Sequence, residues 1–235
     1  MRNYFTLAGV SSTTHGVYIS GQGTFSAPAR EYNIIPIPGR NGDIVGSEKR
    51  FENLELTYPA FIYSNFDTNL SNFKNFLLSL IGYQTLSDSY HPDEFRKALY
   101  VGPFEPDVVK KNDAGSFDIV FNCKPQRYLN SGTIVTTLVA DGTITNPTKF
   151  DSQPLLRVYG TGQLGINSET ITISQSDVYT DIDCEMMDCF KATANKNPFV
   201  TFSNYNFPVL KSGVNNIALG TGITKVEITP RWWRV

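Results

Sequence analysis

Three acidic residues at alternate positions, Asp181, Asp183 and Glu185, are the residues whose types and spacing best suit chemistry. Two carboxylates at a suitable separation can act as acid and base, or bind a hard cation. On a strand all three would share one face, because successive side chains alternate. That spacing favours a strand with its acidic face toward solvent, because the other face holds Val178, Thr180, Ile182, Cys184 and Met186.

The histidines and cysteines match no familiar catalytic or metal-binding spacing. His15 and His91 are far apart, and no Gly-x-Ser-x-Gly nucleophile elbow occurs. Cys184 and Cys189 have no second pair beside them, so no zinc site is predicted. With Cys123 they are expected to be buried thiols in a reducing compartment. We therefore predict no catalytic, cofactor-binding or metal-binding residue, and no enzyme.

Two further motifs have a structural and a functional interpretation. Gly160-Thr161-Gly162 and Gly220-Thr221-Gly222 resemble fragments of phosphate loops, but neither continues into Gly-Lys-Ser/Thr. They are typical of tight turns between strands. Trp232 and Trp233 could offer a flat apolar platform to a sugar. Strand alternation favours the other outcome, in which one indole is buried and the other lies at an edge.

The segment Pro38-Gly39-Arg40-Asn41-Gly42-Asp43 has the strongest turn chemistry in the chain. It lies between two runs with strand alternation, residues 32–37 and residues 54–58. Asn41-Gly42 can supply the two positive φ angles that a type I′ hairpin turn needs. We predict an exposed hairpin tip that carries one arginine and one aspartate.

Composition indicates a globular, β-rich protein without a nucleic-acid groove. Of the 235 residues 40% are hydrophobic and 13% aromatic, with 18 Gly and 13 Pro for turns. The formal net charge is −2 and no long basic run occurs, whereas phosphate binding needs clustered cations. No run approaches membrane-spanning length, and the first residues lack the apolar core of a signal peptide. The expectation is a protein made in the cytoplasm that binds neither nucleic acid nor membrane.

One amphipathic helix is predicted over about residues 66–81. Apolar residues recur there at spacings of four and three, at Phe66, Leu70, Phe73, Leu77 and Leu80. Asn65 or Asp67 could cap its start, and Gly82 stands where a left-handed C-terminal cap would be. The apolar stripe needs a sheet to cover, which strands near residues 54–62 and 117–123 could provide.

The remaining pattern predicts strands in two domains. Residues 115–124 form a strand that Pro125 ends, and a domain junction lies near Leu129. The short strands beyond it have the regular spacing of a β-sandwich. They are predicted at residues 133–139, 155–159, 162–166, 170–173, 178–184, 214–219 and 224–228.

A series of short motifs follows in order along nearly the whole chain. They comprise residues 5–12 (FTLAGVSS), 15–17, 35–43 (IPIPGRNGD), 77–81, 115–128 (GSFDIVFNCKPQRY), 146–148, 154–160 (PLLRVYG), 179–183, 207–215 and 229–233 (TPRWW). In order and spacing they resemble the siphophage distal tail (Dit) proteins, in the short form without an inserted carbohydrate-binding module. Each motif is unspecific alone; their succession carries the resemblance.

The resemblance implies a mainly β fold: a ring-forming N-terminal β domain with one principal helix, residues 1–128, and a galectin-like C-terminal β-sandwich, residues 129–235. Such proteins assemble as a hexameric ring through the N-terminal domain. The ring joins the tail tube to the tail-associated or baseplate proteins, and the C-terminal domains project outward.

The expected function is accordingly that of a structural virion protein at the distal tail. The implied partners are further copies of the chain in a hexamer, the major tail tube protein, and tail-associated, tail fibre or receptor-binding baseplate proteins. Pro38 to Asp43 become a candidate assembly contact, either to the neighbouring subunit or to an axial partner. The alternative is a carbohydrate-binding β-sandwich module for adhesion to the host surface, resting on Trp232 and Trp233.

Overall fold

The computed structural model describes residues 2–21, 26–103, 105–109 and 113–235, with the side chains of 47–49 and 108–109 left aside. The chain forms two compact units, one up to Arg127 with Val235, and one from Tyr128 to Arg234. Both consist mainly of antiparallel strands, which confirms the mainly β fold class.

The elements follow one another with short connections. The strands up to the second unit are β1 (Phe5–Leu7), β2 (Val10–Ser11), β3 (Tyr18–Ile19), β4 (Arg30–Ile35), β5 (Ile44–Phe51), β6 (Leu54–Ile62), β7 (Gln84–Asp88), β8 (Glu94–Tyr100), β9 (Asp107–Val109) and β10 (Ala114–Leu129), with helix α1 (Phe66–Ser79) between β6 and β7. The later strands are β11 (Thr136–Leu138), β12 (Gly142–Asn146), β13 (Leu155–Gly160), β14 (Gly162–Ile166), β15 (Glu169–Ile173), β16 (Tyr179–Asp183), β17 (Asp188–Lys191), β18 (Ala194–Asn195), β19 (Val200–Phe202), β20 (Gly213–Leu219), β21 (Ile223–Thr229) and β22 (Trp233–Arg234). Short 3₁₀ turns lie at Ser12–His15, Asn130–Thr133 and Asn197–Phe199.

The first unit is a sheet covered by one helix. Its strands run in the order β2-β1-β7-β8-β10-β6-β3, and β9 also pairs with β10. Alternation along β6 and β10 directs one row of side chains inward, where Phe5 packs on Tyr58 and Phe121 with ring centroids 5.7 Å apart in both pairs. Aromatic side chains of this size each bury a large apolar area and so contribute strongly to a core.

Helix α1 confirms the predicted amphipathic helix and its role as the cover of the sheet. Phe66, Leu70, Phe73 and Leu77 are buried in the same core as β6 and β10. Asn65 occupies the N-cap position, but the Asp113 carboxylate accepts the hydrogen bond from the backbone N–H of Phe66 at 3.0 Å. Within the described residues, no helix is both long enough and apolar enough to cross a lipid bilayer.

The predicted C-terminal cap of α1 was wrong. Leu80 ends the helix in an extended conformation, and its N–H bonds to the Leu77 carbonyl. Gly82 does have a positive φ of 72°, but it lies in the turn before β7. A glycine near a helix end indicates a residue in the left-handed conformation. It does not determine whether that residue caps the helix or belongs to the turn that follows.

The predicted end of β10 at Pro125 was also wrong, because the strand continues to Leu129. Its pairing with β6 ends at Cys123 opposite Leu54. Pro125 therefore lies beyond the last pair with β6, where the missing N–H removes no bond to that strand. The inward row includes Pro125, which is buried like Phe121 and Cys123 at alternate positions before it.

The second unit consists of two antiparallel sheets packed face to face. One runs in the order β11-β21-β13-β16-β17-β18 and the other in the order β12-β20-β14-β15-β19. Leu156, Val158 and Val226 from the first sheet share one core with Leu164 and Ile171 from the second. This arrangement is the β-sandwich that the strand spacing predicted. Of the predicted strand at 133–139 only Thr136–Leu138 forms, because a 3₁₀ turn precedes it.

The two Gly-Thr-Gly segments are tight turns, as predicted, and they touch each other through their backbones. Gly160, Gly162 and Gly222 all have positive φ angles. A Cβ on Gly222 would overlap the Thr161 carbonyl oxygen, and a Cβ on Gly162 would overlap that of Thr221. Glycine is needed here both for the backbone conformation and for the close approach.

Gly222→Ala is expected to lower the free energy of unfolding by about 3 kcal/mol, because alanine is strained at a φ of 92° and its Cβ would overlap the Thr161 carbonyl oxygen. Gly213→Ala is the matched control, since Gly213 also has a positive φ (87°) but open space around its Cα. That control should lose only about 1 kcal/mol. Denaturant unfolding followed by tryptophan fluorescence reports on this unit, which contains Trp232 and Trp233. Equal losses in the two variants would contradict the backbone contact.

Candidate assembly surface

The predicted hairpin exists, but its second strand is β5 rather than the run at residues 54–58. β4 and β5 pair antiparallel, with Ile34 opposite Val45 and Ile35 opposite Ile44. They form a separate two-stranded sheet. β5 is not evident from the sequence, because its apolar and polar residues alternate only weakly. The clearer alternation of β6 therefore leads to the prediction that β6 is the second strand of the hairpin.

The prediction of a type I′ turn at Asn41-Gly42 was wrong. Eight residues separate the strands, and the turn at the tip is Ile37 to Arg40, where the Arg40 N–H donates to the Ile37 carbonyl at 3.2 Å. Gly39 has a φ of 78°, while Asn41 is not at positive φ. Proline at the second position and positive-φ glycine at the third are the requirements of a type II turn. Pro38-Gly39 therefore makes the turn.

All six residues of the candidate assembly contact, Pro38, Gly39, Arg40, Asn41, Gly42 and Asp43, are exposed. The structure brings them together at one end of the hairpin. Near the other end, Arg50 donates to Glu31 at 3.0 Å and the Arg30 guanidinium lies 4.4 Å from the Phe51 ring centre. Their role in assembly stays a prediction.

The hairpin is apolar on both of its faces. The exposed fractions are 52% for Tyr32, 59% for Ile34 and 59% for Val45, which share one face, and 48% for Ile35 and 50% for Ile44 on the other. The sequence contains the signal for this surface, since Ile34-Ile35 and Ile44-Val45 are adjacent apolar pairs that cannot share one face. Alternation alone predicts a single apolar face, whereas these two adjacent pairs require two.

The acidic residues do not face solvent, so that expectation was wrong. Asp181 and Asp183 are only 4% and 5% exposed. The Arg157 guanidinium donates to both carboxylate oxygens of Asp181, from Nε at 2.7 Å and Nη2 at 2.9 Å. The Arg157 side chain also lies 4.3 Å from the Tyr179 ring centre.

Asp183 is bound in the same bidentate way by Arg231, at 2.7 and 2.8 Å. It also accepts the backbone N–H groups of Glu185 and Met186. Glu185 lies beyond the end of β16, where it accepts from the Tyr128 hydroxyl at 3.3 Å. Arg231 also lies 3.5 Å from a carboxylate oxygen of Glu185, so it serves both Asp183 and Glu185, while Arg157 binds Asp181. The acidic pattern is therefore explained by arginines far away in sequence.

The environment of Asp183 has opposing effects on its pKa. Burial raises the pKa, while the Arg231 hydrogen bonds and the N–H groups of Met186 and Glu185 lower it; the net result is a lowered pKa. The charged carboxylate is therefore the form that the fold stabilises. The stabilisation is present above the unfolded-state pKa and is lost as pH falls through the folded-state pKa.

The cysteines are buried free thiols, as predicted. Burial raises the pKa of Cys123 and Cys189 to about 12 and also raises that of Cys184. His15 stacks on Phe76 with ring centres 5.1 Å apart, and burial lowers its pKa. In the described part of the chain, no three histidine, cysteine, aspartate or glutamate side chains gather where they could ligate a metal ion.

The tryptophans have separate structural positions. Trp232 is 5% exposed and belongs to the core of the second unit. Trp233 stacks on Phe150 with ring centres 4.5 Å apart, and its indole N–H donates to the Asp151 carbonyl at 2.9 Å. The pair therefore does not form a shared open platform for a sugar ring.

Asp183→Asn is expected to lower the free energy of unfolding at neutral pH by about 2–3 kcal/mol, because Arg231 loses the buried charge that it binds through two hydrogen bonds and keeps only the longer contact with Glu185. The difference from the wild type should shrink as pH falls below about 3.8, the ordinary pKa of an aspartate in an unfolded chain, since protonation then removes the same charge in the wild type. Glu227→Gln is the control, because Glu227 pairs with Lys225 at 2.7 Å on a more exposed surface. If the stability lost in Asp183→Asn did not change with pH, a stabilising role of the charged Asp183 carboxylate would be contradicted.

No protein-family model and no curated protein sequence matches the chain. Solved structures do match it. The crystal structure of SPP1 Dit, described as a paradigm of the hub adsorption apparatus in phages that infect Gram-positive bacteria, aligns with a TM-score of 0.75 and 14% identity over 97% of this chain and 98% of that one.

Chains of the phage P2 baseplate in its activated conformation also match. The structure with calcium aligns with a TM-score of 0.54 and 12% identity over 97% of this chain and 98% of that one. The structure with strontium aligns with a TM-score of 0.51 and 13% identity over 96% of this chain and 97% of that one. The similarity in each case extends over nearly the full length of both chains. The resemblance inferred from the sequence is thereby confirmed at the level of the fold, and this chain has the fold of the phage Dit proteins.

Proposed function

We propose that this protein is a structural hub component of a phage tail tip, which forms a hexameric ring between the tail tube and the tail-associated or baseplate proteins. The observation that carries the proposal is the full-length similarity to SPP1 Dit. A match over both units is more informative than a match of one sandwich, because β-sandwiches serve many functions.

The site chemistry supports a structural role. The acidic residues that best suited catalysis are bound to Arg157 and Arg231, so their charges stabilise the second unit. The cysteine thiols are buried. Buried ionic groups that link strands, together with a hairpin that exposes apolar side chains on both faces, suit a protein that assembles through its surfaces. The protein acts in the virion, at the distal end of the tail.

Ring formation gives the hairpin tip its proposed role. A closed ring is built from one repeated head-to-tail contact, which needs two different surfaces on each subunit. Hairpins and strand edges suit such contacts, since their backbone groups and side chains are open to a neighbour. Residues Pro38 to Asp43 are the proposed contact, directed to the neighbouring subunit or to an axial partner of the ring.

The purified protein is expected to form a discrete species near six times the chain mass of 26.2 kDa, visible as a six-fold ring by electron microscopy. Arg40→Glu should destabilise the ring or its complex with tail proteins, because it reverses the charge at the exposed tip. Lys149→Glu makes the same charge change on an exposed residue of the second unit and is the control. An unchanged ring with normal partner binding in Arg40→Glu would contradict the tip assignment.

A further inference from the structure

The β4–β5 hairpin lacks the packing that a two-stranded sheet normally needs to be stable. Two-stranded sheets are marginally stable in water, and a third strand or a packed face is normally required. This hairpin forms a sheet of its own, and none of its residues belongs to the buried core of the first unit. Ile34 and Val45 on one face, and Ile35 and Ile44 on the other, are about half exposed or more. The hairpin therefore needs a cover for its apolar faces.

The same unit contains an apolar groove beside helix α1. The groove has a volume of about 410 Å³ and lies between the C-terminal half of α1 and the residues that end β8 and follow it, with Lys74, Leu77, Leu78, Tyr100, Val101 and Pro103 in its lining. Leu78 is 73% exposed and Val101 is 50% exposed. Ile81, just beyond the helix, is 90% exposed. Such a cluster is unusual on a surface that faces only water.

The two surfaces are both apolar, and each carries one charged residue of opposite sign. One is a two-stranded hairpin with apolar side chains on both faces, and the other is an apolar groove. Asp43 stands next to Ile44 on the hairpin, and Lys74 stands at the groove; neither has an ion-pair or hydrogen-bond partner among the described residues. An aspartate on the inserted ribbon and a lysine in the receiving groove can pair across a contact.

We propose that the β4–β5 hairpin of one copy occupies the α1–β8 groove of the next copy. The contact is heterologous, because hairpin and groove are different surfaces of the same chain, and repetition of such a contact around an axis closes a ring. The inference rests on the proposed ring and specifies which surfaces form it. Asp43 pairs with Lys74, and the apolar residues of the hairpin contact Leu78 and Val101.

Cross-linking between tagged copies tests the contact directly. One copy carries Ile34→Cys and the other Leu78→Cys, with different tags, and the two are co-expressed and purified on both tags. A short bismaleimide should produce a covalent dimer about tenfold more abundant than in either variant alone, because docking holds the thiols close together. The native thiols contribute little, since Cys123, Cys184 and Cys189 are at most 1% exposed.

The control replaces Leu78→Cys by Tyr205→Cys, whose side chain is 96% exposed in the second unit. This pair should give no dimer above background. A ring of correct mass without the hairpin-to-groove cross-link overturns this inference and leaves the proposed hub function standing. Cross-linking of Ile34→Cys copies with each other shows hairpin-to-hairpin contact and overturns it as well. A protein that stays monomeric at every concentration overturns both the ring and the inference.

Charge exchange provides a second measurement. Asp43→Lys and Lys74→Glu should each raise the concentration at which the ring dissociates about two- to fivefold, as expected for a solvent-accessible ion pair. The double variant should restore the original value, because the pair is rebuilt with its charges exchanged. Mass photometry over a dilution series measures all four proteins. Losses that add in the double variant contradict the docking.

Discussion

The apolar face of a strand must be covered, and this requirement determines the arrangement of both units. In the first unit Phe66, Phe73 and Leu77 of α1 cover the inward row of β6 and β10. In the second unit each sheet covers the other, with Leu156 and Leu164 in one shared core. Alternation makes this possible, since it gathers most apolar side chains of a strand on one face. The β4–β5 hairpin departs from the rule because it has two apolar faces, and within the described part of the chain neither packs in the core of its unit.

Much of this arrangement was predictable because the signal is local. The stripe from Phe66 to Leu77 and the alternation from Phe117 to Cys123 arise from neighbouring residues, and the structure agrees with them. The tip at Pro38 to Asp43 was placed correctly for the same reason. Its turn type was not, because Pro38-Gly39 and Asn41-Gly42 both carry turn chemistry and only one closes a hydrogen bond.

The failed expectations depend on residues distant in the chain. Asp181 and Asp183 occupy positions that alternation assigns to solvent, yet Arg157 and Arg231 make their burial possible. The sequence separations are 24 and 48 residues, beyond any local pattern. Asp113 likewise caps α1 from 47 residues away. Pairing of charges over such distances follows from the topology, so it could be recognised only once strand order was known.

The chain shares its fold with SPP1 Dit at low sequence identity, as expected if the fold depends on apolar patterns and not on particular residues. Cores tolerate extensive apolar substitution as long as volume and pattern are kept, so a fold can persist at 14% identity. Surfaces have no such freedom when they must match a neighbour, because one polar group or charge in the wrong place opposes the contact. Exposed Ile34, Ile35, Ile44 and Val45 have no role in the core of their own unit. Their apolar character therefore requires an explanation outside the isolated chain, and a neighbouring subunit with the groove at Leu78 provides one.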